Sequence, residues 1–295
     1  MPRISSRFSS AIIGALLLLT GPWIGGCSAI RLGYANGPQL AWWWLGGYVD
    51  FSRDSTPAAK RAIERWFEWH RATQLPDYAA LLASAQPALL EPTTPALACG
   101  WQERVRSRLD PALERALAEF ADLLPGLAEA QFKHIEQRYA KAIDEMRDEF
   151  LQADASERTK QSVKRTVERT ERIYGALDEA QLRLITAGVS ASPFNPEIWL
   201  AERQRRQRDT LQTLRRLVAE KADRDTRIAS LRALVARTER SPLPEYRAYQ
   251  ARLTEYNCAF AAQIHNATSP AQRQAAREVL KGWEDDVRAL MQAPG

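Results

Sequence analysis

The densest grouping of side chains able to move protons is Trp66-Phe67-Glu68-Trp69-His70-Arg71-Ala72-Thr73-Gln74-Leu75-Pro76-Asp77-Tyr78. It sets an imidazole beside a guanidinium, indoles and two carboxylates. Paired with Glu68 or Asp77, His70 would be a general acid/base. Glu68 and His70 stand two apart, however, which on a helix turns them away from each other. The pattern therefore favours a buried hydrogen-bonding and stacking network that locks this helix end onto a neighbour, with ligand binding as the alternative. Trp69, His70, Arg71 and Asp77 are its candidate residues.

A second grouping is Phe194-Asn195-Pro196-Glu197-Ile198-Trp199, running into Glu202-Arg203-Gln204-Arg205-Arg206-Gln207-Arg208. Asn195 has the chemistry of an N-cap, with Pro196 at the first helical position. Four arginines in six residues point in several directions, so most are expected on a solvated, ion-paired face. Arg203 and Gln207 share a face and could meet a carboxylate, a phosphate or anionic lipid. Asn195, Arg203 and Arg206 are the candidates here. Region 195–206 is also the expected packing partner of Trp69-His70-Arg71.

Other chemistry lacks a motif. His70, His134 and His265 form no His-x-x-x-His or Glu-x-x-His spacing, and no Cys-x-x-Cys exists, so no metal is expected. Phosphate loops, Gly-x-Ser-x-Gly and Gly-x-Gly-x-x-Gly are missing too, and neither a cofactor nor a catalytic residue is assigned. The 41 basic and 36 acidic residues are intermixed, with a net charge of +5. A nucleic-acid partner would need a clustered basic patch, so none is expected.

The cysteines say most about address. Arg3 and Arg7 precede the apolar run Ala11-Ile-Ile-Gly-Ala-Leu-Leu-Leu-Leu19, which has the length of a secretory h-region and is too short to span a bilayer. Ile24-Gly25-Gly26-Cys27 then resembles the bacterial lipobox, whose small residues admit the peptidase and whose thiol accepts diacylglycerol. Residues 1–26 are thus expected to be a signal peptide, and Cys27 the lipidated first residue, palmitate among its acyl chains. Two or more chains anchor stably. Ser28 at the next position permits outer-membrane sorting, with the domain facing the periplasm. Cleavage removes two arginines and no acid, taking +5 to +3. With Cys27 acylated, Cys99 and Cys258 are left in an oxidising compartment and are expected to pair.

All these groups must be placed by helices. Helix formers dominate, and no alternating strand pattern occurs. Phe132, Ile135, Tyr139, Ile143, Met146 and Phe150 step by three or four, as do Tyr246, Tyr249, Leu253, Tyr256, Phe260 and Ile264. So do Ala276, Val279, Trp283, Val287 and Leu290. Helices are expected over 39–45, 56–73, 96–124, 157–186, 196–221 and 226–238, with a loop at 86–95. Trp42-Trp43-Trp44 could form an interfacial belt near the anchor. Three consecutive residues point around the whole helix, though, so burial against the bundle is expected. The fold is read as an all-α bundle of long amphipathic helices: a tether over 27–37 and one domain over 38–292.

Helix starts repeat a theme in Leu127-Ala-Glu-Ala-Gln131, Leu177-Asp-Glu-Ala-Gln181 and Ser269-Pro270-Ala271-Gln272-Arg273. Capping chemistry explains it. It is also similar to the Leu-Thr-x-x-Gln repeats of periplasmic helical chaperones, although Thr is missing from both Leu-x-x-x-Gln copies. A wider set resembles an uncharacterised family of proteobacterial lipoproteins. It comprises Tyr34, Trp42-Trp43-Trp44-Leu45, Tyr48-Val49-Asp50, Trp69-His70-Arg71-x-Thr73-x-Leu75-Pro76-x-Tyr78 and Tyr174-Gly175-x-Leu177-x-x-x-Gln181. Phe194-Asn195-Pro196, Arg203-x-x-Arg206-Gln207, Asn257-Cys258, Ser269-Pro270-x-Gln272-Arg273 and Leu280-x-Gly282-Trp283-x-x-Asp286 complete it. The resemblance implies a helical periplasmic domain behind a lipid anchor and carries no activity.

The functional expectation is a non-enzymatic binding or scaffolding protein, a chaperone-like holder of envelope proteins. The alternative is an envelope enzyme acting on peptidoglycan or lipid through His70 with Glu68 or Asp77. A binding protein should present an open apolar surface rimmed by arginine. An enzyme should hold His70 and a carboxylate within hydrogen-bond reach in a closed pocket.

Overall fold

The computed structural model describes residues 29–152 and 154–292, so Cys27 and the signal segment lie outside the described residues. Twelve α-helices and no strand occur among the described residues. In chain order they are α1 (Ala29–Ala35), α2 (Gly37–Val49), α3 (Thr56–Thr73), α4 (Leu75–Ala88), α5 (Pro95–Leu123) and α6 (Glu129–Phe150). The second half holds α7 (Ala155–Tyr174), α8 (Glu179–Ser190), α9 (Pro196–Ala219), α10 (Arg224–Glu239), α11 (Pro244–Asn266) and α12 (Pro270–Gln292). The expected all-α single-domain bundle is what forms.

Short polar side chains start many of these helices by accepting from otherwise orphaned backbone N–H groups. Thr94 accepts from Leu97 N at the head of α5, Asp154 from Ser156 N at α7, and Asp223 from Thr226 N at α10. Asn195 accepts from both Glu197 N and Ile198 N, at 2.9 and 3.0 Å. The apolar stripes then choose neighbours. Val49, Leu124, Phe132, Ile135, Leu211, Leu214, Leu217 and Leu231 make one core among α2, α5, α6, α9 and α10. Leu75, Ala79, Val287 and Leu290 make another, flanked by Ile30 and Tyr34, where α4 and α1 lie along α12.

Four expectations change. Residues 29–35, read as tether, are helical and packed on α12, where Arg31 Nε donates to Asp286 at 3.0 Å. The aromatic helix runs through Gly46 and Gly47 to Val49 and ends at Asp50, held at φ 52°, whose N–H reaches back to the Gly46 carbonyl. The stretch 157–186 is two helices, because Gly175 takes φ +78°, a conformation closed to most side chains, and Asp178 caps a new start. Finally, α4 carries Pro87 in its last turn. The loop after α4 is correspondingly shorter than expected.

The helix-start glutamines do more than cap. Gln181 accepts from Asp178 N at 3.0 Å, and its amide donates to the Ala267 carbonyl and to Gln272. Gln272 in turn accepts from Ser269 N and donates to the Ala176 carbonyl. One interlocked pair of amides thus joins the starts of α8 and α12. Gln131 accepts from Ala128 N and donates to the Asp50 carbonyl, tying α6 to the end of α2.

Candidate functional site

His70 is buried near the C-terminal end of α3, inside an aromatic box. Trp66 stacks on it with ring centroids 4.5 Å apart, and Tyr78 of α4 meets it edge-on at 5.4 Å. Its Nδ1 lies 2.9 Å from the Tyr34 hydroxyl of α1. Burial pulls the imidazole down from 6.5 to about 4, so it is neutral near pH 7 and shares one proton with the tyrosine hydroxyl across Nδ1. Burial raises the Tyr34 hydroxyl, against the opposing charge and hydrogen bond of Arg71, whose guanidinium lies 5.8 Å from the tyrosine ring. Trp66 Nε1 donates to the Ala112 carbonyl of α5.

Neither proposed carboxylate joins His70. Glu68 is exposed, and Asp77 accepts from Arg108 of α5 at 2.7 Å. Trp69 is half-buried on the same helix. What the arrangement performs is joinery: one imidazole gathers α1, α3 and α4, while Trp66 adds α5. The expected partner was wrong. Trp69-His70-Arg71 meets α1 and α4, whereas Asn195 hydrogen-bonds the Tyr249 hydroxyl of α11, at 2.9 Å to its N–H and 3.3 Å to its carbonyl. Adjacent elements of a hairpin-rich chain were the nearer partners, and spacing alone did not rank them.

The arginine run in α9 is also resolved differently. Glu202 is 2% exposed and accepts from Arg205 through two bonds, at 2.9 and 2.8 Å, and from Arg206 at 2.9 Å. Burial pushes its carboxyl up, yet the hydrogen bonds from Arg205 and Arg206 outweigh that and hold it below its ordinary value. Arg237 of α10 grips Asp209 through two bonds of 2.9 Å, and Arg205 donates to the Arg237 carbonyl. The network fastens α10 to α9 and is partly buried rather than solvated. Arg206 lies over the Tyr246 ring at 5.6 Å, and Arg203 over Trp199 at 5.8 Å. The signal for it was present: a glutamate with arginines three and four residues on.

Cys99 of α5 and Cys258 of α11 form a disulfide with Cα atoms 5.3 Å apart. His265, also buried, faces the Glu91 carbonyl through Nε2 at 2.8 Å and the Tyr174 hydroxyl through Nδ1 at 2.8 Å. Because a carbonyl only accepts, Nε2 carries a proton and donates it to the Glu91 carbonyl. Among the described residues, no group of three or more His, Cys, Asp or Glu side chains is arranged to hold a metal ion.

The feature that sequence reasoning missed is a groove of about 880 Å³ between α7, α11 and the turn from α8 into α9. Leu253, Phe260 and Ile264 of α11, with Phe150, Phe194 and Trp199, form its apolar floor. Those last three rings pack on one another at centroid distances of 5.4 to 6.4 Å. The α7 wall presents Thr159, Ser162, Thr166 and Thr170, spaced three and four apart. Thr159, Thr166 and Thr170 spend their hydroxyls on carbonyls four residues back, so they offer the groove methyl groups. Arg158, Arg165 and Arg169 also line the groove. Arg165 lies over the Phe150 ring at 4.8 Å and 3.7 Å from Glu149. Both rings and arginines were visible in the sequence, but only the placement of α7 brings them together.

Residues 47–247 match the model of a family described as a family of unknown function, DUF6279. The match stops short of Trp42-Trp43-Trp44 and of the Ser269–Asp286 elements on which the sequence resemblance also drew. No curated protein and no solved structure matches the chain.

Proposed function

The chain belongs to the DUF6279 family of unknown function, and from the N-terminal sequence together with the groove we propose a lipid-anchored, non-enzymatic binding protein of the bacterial envelope. Cys27 carries the anchor in the outer membrane, and the helical domain faces the periplasm. The observation that carries the binding role is the groove between α7 and α11, open to solvent, floored by aromatic and aliphatic side chains and lined by three arginines and one glutamate. Its volume lies in the range of ligand-binding clefts. Its open form and positive lining suit an extended apolar segment bearing acids, as in an incompletely folded envelope protein. The reading of His70 as a general base has no such support, since its ring is buried and its neighbours are aromatic.

Suppression of aggregation tests the binding role directly. A denatured outer-membrane β-barrel is diluted with the purified chain or with a Phe194→Ser/Trp199→Ser variant, and light scattering is followed. A photo-crosslinker at Arg169 reports contact in the groove, and one at Arg232, on α10, serves as control. Suppression by the parent, its loss in the variant and crosslinks at position 169 alone are expected. Equal scattering with and without the parent would remove the binding role. A defect on His70→Asn in cells, with the variant folded, would restore the enzymatic one.

A further inference from the structure

We propose that the outward face of α1 and α2 is a second membrane contact, lying flat on the bilayer surface beside the acylated Cys27; it rests on the lipid-anchor reading above. The two helices run almost as one, because Asn36 N donates to the Leu32 carbonyl and Leu40 N to the Asn36 carbonyl. Along them Leu32, Leu40, Trp43 and Trp44 are 61%, 53%, 76% and 57% exposed. With Asn36 and Gly47 they step by three or four and make one outward stripe. Burial of the tryptophans against the bundle, the expectation from their spacing, holds only for Trp42, which stacks on Phe51 at 5.7 Å.

The opposite face is committed to the protein. Gly37 is so close to Phe67 that an added Cβ would stand 2.4 Å from its ring, and Val49 enters the core. The described residues therefore hold the stripe outward and leave it uncovered. Gly37–Val49 contains no charged residue, so transfer of the stripe into an interface desolvates no ion. Indoles favour that depth, because the ring is apolar and its N–H can still find a partner among headgroups and water.

Position selects the bilayer as occupant. Ala29 opens α1 two residues after Cys27, which places the anchored residue within about 7 Å of the helix. From Leu32 to Gly47 the stripe extends about 22 Å, so an anchored chain carries all of it close to the surface. Among the described residues no helix is long and apolar enough to cross a membrane, so this contact lies in the interface.

Flotation with phosphatidylethanolamine–phosphatidylglycerol vesicles tests the contact apart from the anchor. The mature chain carrying Cys27→Ser has no acyl group and is compared with the same chain carrying Trp43→Ser and Trp44→Ser. The first is expected to float, and the second to partition about tenfold more weakly, a difference of about 1.4 kcal/mol. Both should have the same thermal midpoint. Equal partitioning of the two chains, or none by either, overturns the proposal. So does a dimer in lipid-free sedimentation that the double substitution dissolves, which would make the stripe a self-association face. Palmitate labelling of the wild-type chain reports on Cys27 alone: vesicle binding without label would overturn the anchor and leave the interfacial contact standing.

Discussion

Substituting His70 by Asn separates a buried structural imidazole from a working one through the pH dependence of stability. Asn keeps a hydrogen-bonding group near the position of Nδ1 for the Tyr34 hydroxyl and removes the titrating ring. In the folded chain His70 protonates only near pH 4, whereas an ordinary imidazole does so at 6.5. Between these values the unfolded chain holds a proton that the folded chain does not. Stability from this residue is therefore fully present above about pH 6.5 and is lost as pH falls toward 4. An interval of 6.5 − 4 = 2.5 pH units, at ~1.4 kcal/mol per unit, corresponds to about 3 kcal/mol. Urea unfolding followed by circular dichroism from pH 7.5 to 4.5 measures it, with salt held constant. Other carboxylates titrate in both proteins, so the informative quantity is the gap between wild type and His70→Asn. That gap should shrink by 2 kcal/mol or so as pH falls to 4.5. Parallel curves, with a constant gap at every pH, would refute the assignment of a neutral, desolvated ring.

Three further outcomes follow from packing and pairing. Cys99→Ala/Cys258→Ala should lose up to about 5 kcal/mol by chain entropy for a separation of 159 residues, seen as a lower urea midpoint that added reductant no longer changes. Glu202→Gln leaves Arg205 and Arg206 facing a neutral group in a partly buried site and should cost about 2 kcal/mol; thermal melting checks it, and an unchanged midpoint would mean solvent already screens the network. Gly188→Ala sets a Cβ 2.1 Å from the Phe260 ring and should destabilise by about 1–3 kcal/mol, with altered occupancy of the groove that Phe260 floors.

How far the sequence could be read depended on the range of the determining interaction. Helical periodicity in Phe132–Phe150 and Tyr246–Ile264 is local, and those helices lie where it puts them. The Asn195 cap is local too, and Cys99 pairs with Cys258, the one mate left to it once Cys27 is set aside as the expected acylation site. Gly175 was obscured because helix-forming sequence continues on both sides of it, and one backbone angle interrupts the pattern. Of the partners of His70, Trp66 and Tyr78 stand in the segment read as a stacking network, whereas Tyr34 was missed because α1 falls in a stretch read as tether. Arg203 and Arg206 were singled out for their faces, yet the buried carboxylate is held by Arg206 together with Arg205, three and four residues on from Glu202. The groove depends wholly on where α7 is carried after Phe150, which no periodicity reports.

The bond between Cys99 and Cys258 encloses everything from the start of α5 to the middle of α11, and the wall and floor of the groove lie almost entirely inside that ring. A proteolytic cut anywhere within the ring, including one in the strongly polar α7, produces two polypeptides that remain a single covalent object. Loss of the groove wall would then leave no trace on a non-reducing gel and would appear as two bands once reductant is added. Before oxidation the same chain is topologically linear and can pass through a narrow conduit end first. After oxidation it can no longer be drawn out straight, so any threading end first must come before this one bond forms.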